Sequence, residues 1–180
     1  MASQLRAPGP LVRTITPVDV LDELTRRLLL LHDQMEQLVC ALDIQQLVMV
    51  NNRLRWLPAV TENVEMLVEE IKVSEGERLP IAHHAATTLG TSPQATLAEL
   101  ADVAGEPYRS SWRRIRLQLL ALHQEIDQIT ATNRDLGRQG MAAAGAIVTT
   151  LGGTEEPRAY SATGTAEPVR PASHRFDRTA

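Results

Sequence analysis

Hydrophobic residues recur at alternating steps of three and four along the stretch that follows Pro107. This spacing lines them up on one side of a helix, as in a coiled-coil seam. The series consists of Trp112, Ile115, Leu119, Leu122, Ile126, Ile129, Asn133, Leu136, Gly140, Ala143 and Ile147. Its first half carries bulky side chains that can fill a core. Gly and Ala dominate its second half, and we expect them to leave a shallow face on which another helix can lie closely.

An amphipathic helix is also predicted near the N-terminus, beginning after Thr16. The Thr16 hydroxyl can accept a hydrogen bond from the first turn, and Pro17 suits the first helical position. Asp19 places a carboxylate near the positive end of the helix. The apolar series that follows comprises Leu21, Leu24, Leu28, Leu31, Met35, Leu38 and Leu42. Its steps of three and four predict one continuous helical face.

The next apolar series resumes after a step of five residues. It comprises Leu47, Val50, Leu54, Leu57, Thr61, Val64, Val68 and Ile71. Such a step means either a tight chain reversal at Asp43 or a phase slip within one continuous helix. Because aspartate is a good helix cap, we favour the reversal at Asp43. Pro58 lies inside this series without changing its phase, so we predict a local kink there.

The pattern weakens between Glu75 and Gly90, where Gly76 and Pro80 interrupt it. We expect a short further helical piece that stops at Gly90. Ser92 and Pro93 then open a short helix, which carries Leu97, Leu100 and Val103. Gly105 is predicted to close that helix in the left-handed conformation, which costs glycine little. The last long helix is expected to begin at Pro107.

These elements predict an all-α protein, an elongated antiparallel helical hairpin or small bundle with coiled-coil-like seams. Aromatic residues make up only 3% of the chain, which suits helix seams better than a ring-lined pocket. We divide the chain into a loose lead-in at 1–15, a helical domain at 16–151 and a tail at 152–180. The tail is rich in Gly, Pro, Ser, Thr and Ala, so we expect it to be disordered in the free protein.

Charge and composition exclude several classes of function. The net charge of −4 gives no basic field for phosphates, so we expect no nucleic-acid partner. No apolar run approaches the roughly 20 residues that span a bilayer, and the N-terminus lacks a secretory signal. We therefore expect a cytoplasmic protein without stable membrane insertion. Cys40 lies in an apolar run, where we predict a buried structural thiol.

No catalytic motif accompanies the helical pattern. His32 and Glu36 share a helix face and His123 can approach them, but no Glu-x-x-His pair or His-Glu-x-x-His motif is present. The chain also lacks a Gly-rich phosphate loop and a Gly-x-Ser-x-Gly elbow. We predict a non-enzymatic protein with no cofactor and no metal site. A helical-bundle enzyme with a metal site is the weakest alternative.

The distal part of the last helix is the candidate binding surface. Its predicted contact residues are Asn133, Leu136, Gly140, Ala143 and Ile147. Either an amphipathic helix of a partner lies on this face, or the face packs on the chain's own helices or on a second copy. We favour a partner, because a core of only Ala and Gly would bury little apolar surface. A seam asparagine often fixes register or oligomeric state. Trp112, in contrast, is assigned to the core.

The layout as a whole resembles the FlgN family of flagellar type III export chaperones. The resemblance rests on a helical hairpin, a short helix after a Gly stop, and a long helix that opens near Trp112 and carries Asn133. It also rests on the tail, which reads Ala159-Tyr160-Ser161-Ala162-Thr163-Gly164-Thr165-Ala166-Glu167 and later Ser173-His174-Arg175. It extends from about Val18 to Arg175. One departure is Thr130, where the family pattern often has a second asparagine.

The resemblance implies a cytoplasmic bacterial chaperone. Its clients would be the two hook-associated proteins of the hook–filament junction, held by their helical terminal segment so that they do not assemble prematurely. It would then deliver them to the membrane-embedded export gate, with Tyr160 in the position of the family's docking tyrosine. The competing hypothesis is a homo-oligomeric coiled-coil structural or scaffold protein, in which the seams meet a second copy.

Overall fold

The computed structural model describes residues 16–152, with side chains described for residues 16–150. Its elements are α1 (Pro17–Val50), the 3-10 turn η1 (Leu54–Trp56), α2 (Leu57–Thr88), α3 (Leu97–Val103) and α4 (Tyr108–Gly152). No strand occurs among the described residues. The all-α prediction is therefore confirmed. The lead-in at 1–15 and most of the predicted tail lie outside the described residues.

The chain separates into two compact units, Met1–Gln139 and Gly140–Ala180. In the first unit, α1 and α2 form an antiparallel hairpin. The α4 residues up to Gln139 run parallel to α1, because Trp112 contacts Thr25 and Asn133 contacts Leu42. The described part of the second unit is helical throughout. The domain boundaries predicted from the sequence stay predictions.

Helix α1 begins as the sequence predicts. The Thr16 hydroxyl accepts from the Asp19 backbone N–H at 3.2 Å, and the Asp19 carboxylate accepts from the Thr16 N–H at 2.9 Å. These reciprocal bonds form a capping box, which satisfies two amides that have no partner within the helix. The face predicted to be apolar is the one that packs: its buried residues include Leu21, Leu24 and Leu28.

The chain reverses at Asn51–Arg53 and not at Asp43. Helix α1 continues through Asp43 to Val50, and Asn52 adopts a left-handed φ of 52°. The Asn52 N–H donates to Met49 and the Arg53 N–H donates to Val48, so the last carbonyls of α1 gain partners. Asparagine tolerates this conformation better than most residues. The step of five in the sequence is therefore a phase slip within α1, and the reversal at Asp43 is wrong.

Two prolines differ from their predicted roles. Pro58 stands in the first turn of α2, where its missing N–H costs nothing, so no kink is needed. Pro80 lies inside α2, which continues to Thr88 as one helix instead of breaking after Glu75. The predicted stop at Gly90 is confirmed, since Gly90 has a φ of 72° and its N–H donates to Thr87.

Helix α3 begins at Leu97 and not at the predicted Ser92, so it is shorter than predicted. Its N-cap is Thr96, whose hydroxyl accepts from the Glu99 N–H at 3.3 Å while the Glu99 carboxylate accepts from the Thr96 N–H at 2.7 Å. Gly105 does not adopt the predicted left-handed conformation, because the helix ends at Ala104 in extended backbone. The chain then enters α4 at Tyr108, one residue after the predicted start.

Two apolar clusters hold the first unit together. The larger cluster joins the start of α1, the end of α2, α3 and the start of α4, and Trp112 is fully buried in it. The Trp112 indole donates to the Thr25 hydroxyl at 2.9 Å, and the Tyr108 hydroxyl donates to Asp22 at 2.8 Å. The smaller cluster has Leu38, Ala41, Leu42 and Leu67 at its centre. The assignment of Trp112 to the core is confirmed.

Candidate functional site

Asn133 lies inside the first unit, and its side chain is only 7% exposed. Its amide nitrogen donates to the Leu42 carbonyl at 2.9 Å and to the Gln45 side chain at 3.2 Å. Gln45 in turn donates to the Thr61 hydroxyl at 2.9 Å. A chain of polar contacts therefore ties α4 to α1 and α1 to α2 within an otherwise apolar layer. The Asn133 amide oxygen is buried and has no hydrogen-bond partner among the described residues.

Asn133 also lines an open apolar groove between α1, α2 and α4, with a volume of about 360 Å³. The groove walls are mainly aliphatic, and they include Leu38, Val64 and Ile126. Leu136, the next predicted contact residue, is half-buried in the same unit. The first unit thus presents an apolar depression with one buried acceptor beside it.

The other three predicted contact residues belong to the second unit. Gly140, Ala143 and Ile147 are all exposed, as is every residue from Gly140 to Thr150. A Cβ atom built on Gly140 would meet no described atom within 4 Å apart from the adjoining helix backbone. Ile147 exposes 58% of its surface. This stretch of helix offers small residues for close approach, with apolar side chains beside them.

Two further exposed apolar residues in the second unit were not predicted. Met141 is 71% exposed and Val148 is 69% exposed. Neither residue belongs to the series with alternating steps of three and four, because that series marks only one side of the helix. Only their lack of packing in the structure identifies them as part of the apolar surface of this unit.

The remaining sequence candidates are placed as follows. Tyr160 lies outside the described residues. Cys40 is exposed on α1, so the prediction of a buried thiol is wrong. The run around it is apolar enough for burial, but Cys40 points away from the face that carries Leu38 and Leu42.

His32, Asp33 and Glu36 bring three potential ligand atoms within 4.8 Å of one another. His32 Nδ1 lies 3.4 Å from an Asp33 oxygen, and His32 Nε2 lies 3.9 Å from a Glu36 oxygen. His123 is not part of this group; it is exposed and faces Asp127 on α4. Both carboxylates of the group are exposed on a single turn of α1, which is a common arrangement on helix surfaces.

Three of the pKa shifts in the first unit mark contacts at helix starts, and the fourth is a raised pKa of Arg27, which donates to Glu23 and Glu77. The pKa of Tyr108 is raised because its hydroxyl donates to the Asp22 carboxylate. The pKa of Glu99 is lowered by the Thr96 backbone N–H and hydroxyl. Glu106 has a lowered pKa because Ser110 donates to it. These last three shifts belong to structural contacts at helix starts, and none of the four involves the predicted client-binding residues.

No helix in the described part of the chain combines the length and apolar character required to cross a bilayer. A comparison with protein families matches residues 20–168 to the family described as FlgN protein. No curated protein and no solved structure matches the chain. The family match covers every helix except the first three residues of α1, as well as part of the tail, and it agrees with the resemblance seen in the sequence. The chain therefore belongs to the FlgN family of flagellar export chaperones.

Proposed function

We propose that this protein is a cytoplasmic chaperone that binds the helical terminal segment of hook-associated proteins. It prevents their premature assembly and delivers them to the type III export gate. The observation that carries this proposal, beside the family match, is the helix from Gly140 to Thr150, which exposes apolar residues that pack on none of the described residues of its own unit. Apolar helix faces of this kind accept an amphipathic helix, which removes both surfaces from water.

In the second unit, the proposed client contacts are Gly140, Ala143 and Ile147. Glycine at position 140 lets a client backbone approach closely, and Ile147 supplies apolar area. In the first unit, Asn133 and Leu136 are assigned a separate contact. Asn133 lines the apolar groove, and Leu136 lies one turn further along α4. Each surface is tested by its own variants.

The central experiment is calorimetric titration of the purified full chain with a hook-associated protein. Ile147→Asp introduces a charge at the proposed interface, and we expect it to weaken binding by about 30-fold or more, as for an interface hot spot. Thr149→Asp is the matched control, because it adds the same charge to an exposed residue on the opposite side of the same helix. Equal affinity for the two variants would contradict the assignment of the second unit.

A second pair of variants tests close approach. Gly140→Leu and Gly145→Leu each add a side chain at a position where, apart from the adjoining helix backbone, no atom of the described residues lies within 4 Å of a Cβ. Both are expected to keep the helix, and circular dichroism checks this. Only Gly140→Leu should weaken client binding, since Gly145 faces the other side. Equal losses for both variants would favour a different client surface on this helix.

Leu136→Asp tests the first unit, and we expect it to abolish client binding. Because Leu136 is half-buried, the thermal unfolding of this variant must be measured as well.

The Tyr160→Ala variant tests delivery to the export gate. We expect this variant to hold the client normally in pull-down assays while secretion of hook-associated proteins falls.

A failure of the wild-type protein to bind any hook-associated protein would contradict the proposed function itself. Light scattering at several concentrations addresses the competing scaffold hypothesis. A stable dimer or tetramer that protects residues 140–150 from labelling would favour the scaffold over the chaperone.

A further inference from the structure

The turn between α1 and α2 exposes a cluster of large apolar side chains. Its members are Ile44, Leu47, Val50, Leu54 and Trp56, which are between 45% and 60% exposed. We call this cluster, together with Arg53 and Arg55, the hairpin tip. Exposed apolar residues are ordinary when they are scattered singly, but five within thirteen residues at one turn form a patch. The patch lies within the first unit and is not part of the client surfaces proposed above.

The charge of the hairpin tip is opposite to that of the whole chain. The chain carries a net charge of −4, yet between Asp43 and Glu62 the only charged residues are Arg53 and Arg55. Both arginines are exposed, and neither forms an ion pair with any residue that the structure describes. The patch thus combines exposed apolar area with two cationic groups, and the nearest acidic residues along the chain are Asp43 and Glu62.

The Trp56 ring and the Arg55 guanidinium lie together at the tip. The guanidinium carbon of Arg55 stands 4.9 Å from the centre of the Trp56 ring. Tryptophan partitions into the boundary between lipid headgroups and acyl chains, because its ring is apolar while its N–H keeps a polar contact. Arginine close to such a ring can reach phosphate groups with its planar donors. These residue types are those of an interfacial membrane contact.

The chemistry of the patch favours an anionic lipid surface, because its two charges are both arginines and they stand beside Trp56 and aliphatic side chains that are about half exposed. Adsorption to a bilayer needs only a few inserted side chains, supplemented by attraction between basic residues and anionic lipids. A turn that projects side chains around its end also suits a flat, deformable surface better than a complementary groove.

We propose that the hairpin tip adsorbs to the headgroup layer of anionic membranes, with Leu47, Val50, Leu54 and Trp56 in the interface and Arg53 and Arg55 on lipid phosphates. The contact is peripheral, reversible and weakened by salt. It does not depend on the client surface, and it holds whether or not the proposed client is correct.

The test is co-sedimentation of the full chain, without client, with lipid vesicles. One set of vesicles contains phosphatidylcholine mixed with phosphatidylglycerol, and the other contains phosphatidylcholine alone. We expect binding to the anionic vesicles only, with a loss of binding as the salt concentration rises. Absence of binding to anionic vesicles, or equal binding to both sets, would overturn the proposal.

Variants then locate the contact. Each arginine near an anionic surface is worth about fivefold in binding, so Arg53→Glu with Arg55→Glu should weaken vesicle binding by more than about 25-fold. The matched control is Arg114→Glu with Arg116→Glu, which makes the same change of charge at exposed sites on α4. Leu47→Asp, with the equally exposed Leu117→Asp as its control, tests the apolar part. If the α4 variants lose binding as strongly as the tip variants, the tip is not the contact.

Tryptophan fluorescence provides a readout that needs no charge variant. The chain has two tryptophans; Trp112 is fully buried and Trp56 is 53% exposed. On addition of anionic vesicles we expect the emission to shift to shorter wavelength and to be quenched by brominated lipids. Both effects should vanish in Trp56→Phe, which keeps an aromatic ring at the tip. Persistence of either effect in Trp56→Phe would overturn the proposal. A second contradicting result would be that the tip variants change the molecular mass in light scattering but not vesicle binding, because the patch would then join copies of the chain.

Discussion

The two tryptophans show how position decides the role of a residue type. Trp112 has no exposed surface, packs against the Tyr108 ring at 5.6 Å between centroids, and donates to Thr25. Trp56 follows the turn between α1 and α2 and leaves half of its surface open. The first residue stabilises the junction of four helices, whereas the second contributes little to the fold and is free to act at a surface.

Trp112→Ala should lower the free energy of unfolding by about 3–5 kcal/mol, because it leaves a large cavity in the main cluster. The same change at the other tryptophan, Trp56→Ala, should stay within about 0.5 kcal/mol of the wild type, as for an ordinary surface substitution. Urea denaturation followed by circular dichroism measures both. A loss at Trp56 as large as that at Trp112 would show that the hairpin tip is part of the core.

Asn133 illustrates a buried polar residue whose contribution to stability is small. Its amide makes two hydrogen bonds, each worth about 1 kcal/mol net, but its unpartnered oxygen costs about 1–3 kcal/mol. These terms nearly cancel. We infer that Asn133 sets the register of α4 against α1, since only one alignment brings it to the Leu42 carbonyl and Gln45.

The prediction for Asn133→Leu is a free energy of unfolding equal to or above that of the wild type, because an apolar side chain suits this layer. Asn133→Ala, which fills less space, should be less stable than Asn133→Leu. Thermal and urea unfolding of the two variants provide the comparison. A loss above about 2 kcal/mol in Asn133→Leu would mean that the polar contacts outweigh the cost of the unpartnered oxygen.

At the level of elements, the start of α1 was predicted correctly, whereas the starts of α2 and α3 were not. Thr16 with Asp19 is a local signal, since the capping residues contact one another within one turn. Asp43 carries a similar signal, yet α1 runs through it to Val50. Asn52 gives a weaker signal in the sequence, but it can take up the left-handed φ that the reversal requires. A five-residue step alone does not distinguish a phase slip from a turn.

The Thr96 cap of α3 leads to a prediction about both stability and titration. Thr96→Ala should destabilise the protein by about 1 kcal/mol. It should also raise the pKa of Glu99 part of the way to its ordinary value, because the Thr96 hydroxyl is lost while the larger contribution, the backbone N–H, remains. NMR titration of the Glu99 carboxyl measures this shift.

The sign of the pH dependence follows from that lowered pKa. The capping contact of Glu99 stabilises the protein above the unfolded pKa, and its contribution is lost as the pH falls through the lower folded pKa. Thr132→Ala is the control, since Thr132 is an exposed threonine in the middle of α4. An unchanged Glu99 pKa in Thr96→Ala would mean that the hydroxyl does not interact with the carboxylate.

For the whole molecule, the main contrast is between a unit that buries its own apolar residues and a helical segment that does not. All residues from Gly140 to Thr150 are exposed, so helix propensity alone supports this segment, and Gly140 and Gly145 reduce that propensity by about 1 kcal/mol each. The segment is therefore expected to open more easily than the rest of α4.

Hydrogen exchange tests this expectation on the full chain. Backbone amides between 140 and 150 should exchange much faster than those between 112 and 133, because no packing protects them. Addition of a bound client should slow exchange in the same stretch. Slow exchange there in the free, monomeric protein would contradict the absence of packing, and exchange unaffected by a bound client would place the client elsewhere.

The sequence predicted the candidate site in part. The change from bulky to small residues along α4 coincides with the exposure of Gly140–Thr150, because Ala and Gly offer little area to bury, whereas Asn133 and Leu136 of the same predicted face lie inside the first unit. The position of Asn133 inside the first unit could not be predicted, since its partners Leu42 and Gln45 lie about ninety residues away. The exposure of the hairpin tip could not be predicted either, because the sequence pattern did not locate the chain reversal.

The exposure of Cys40 has a practical consequence. It is the only cysteine in the chain, and it stands on the surface of α1. A maleimide dye or a nitroxide label should therefore attach to the native protein at a single known position, without denaturant and without engineered cysteines. Magnetic-resonance or fluorescence measurements from that position can then report distances to labelled partners in a working export system.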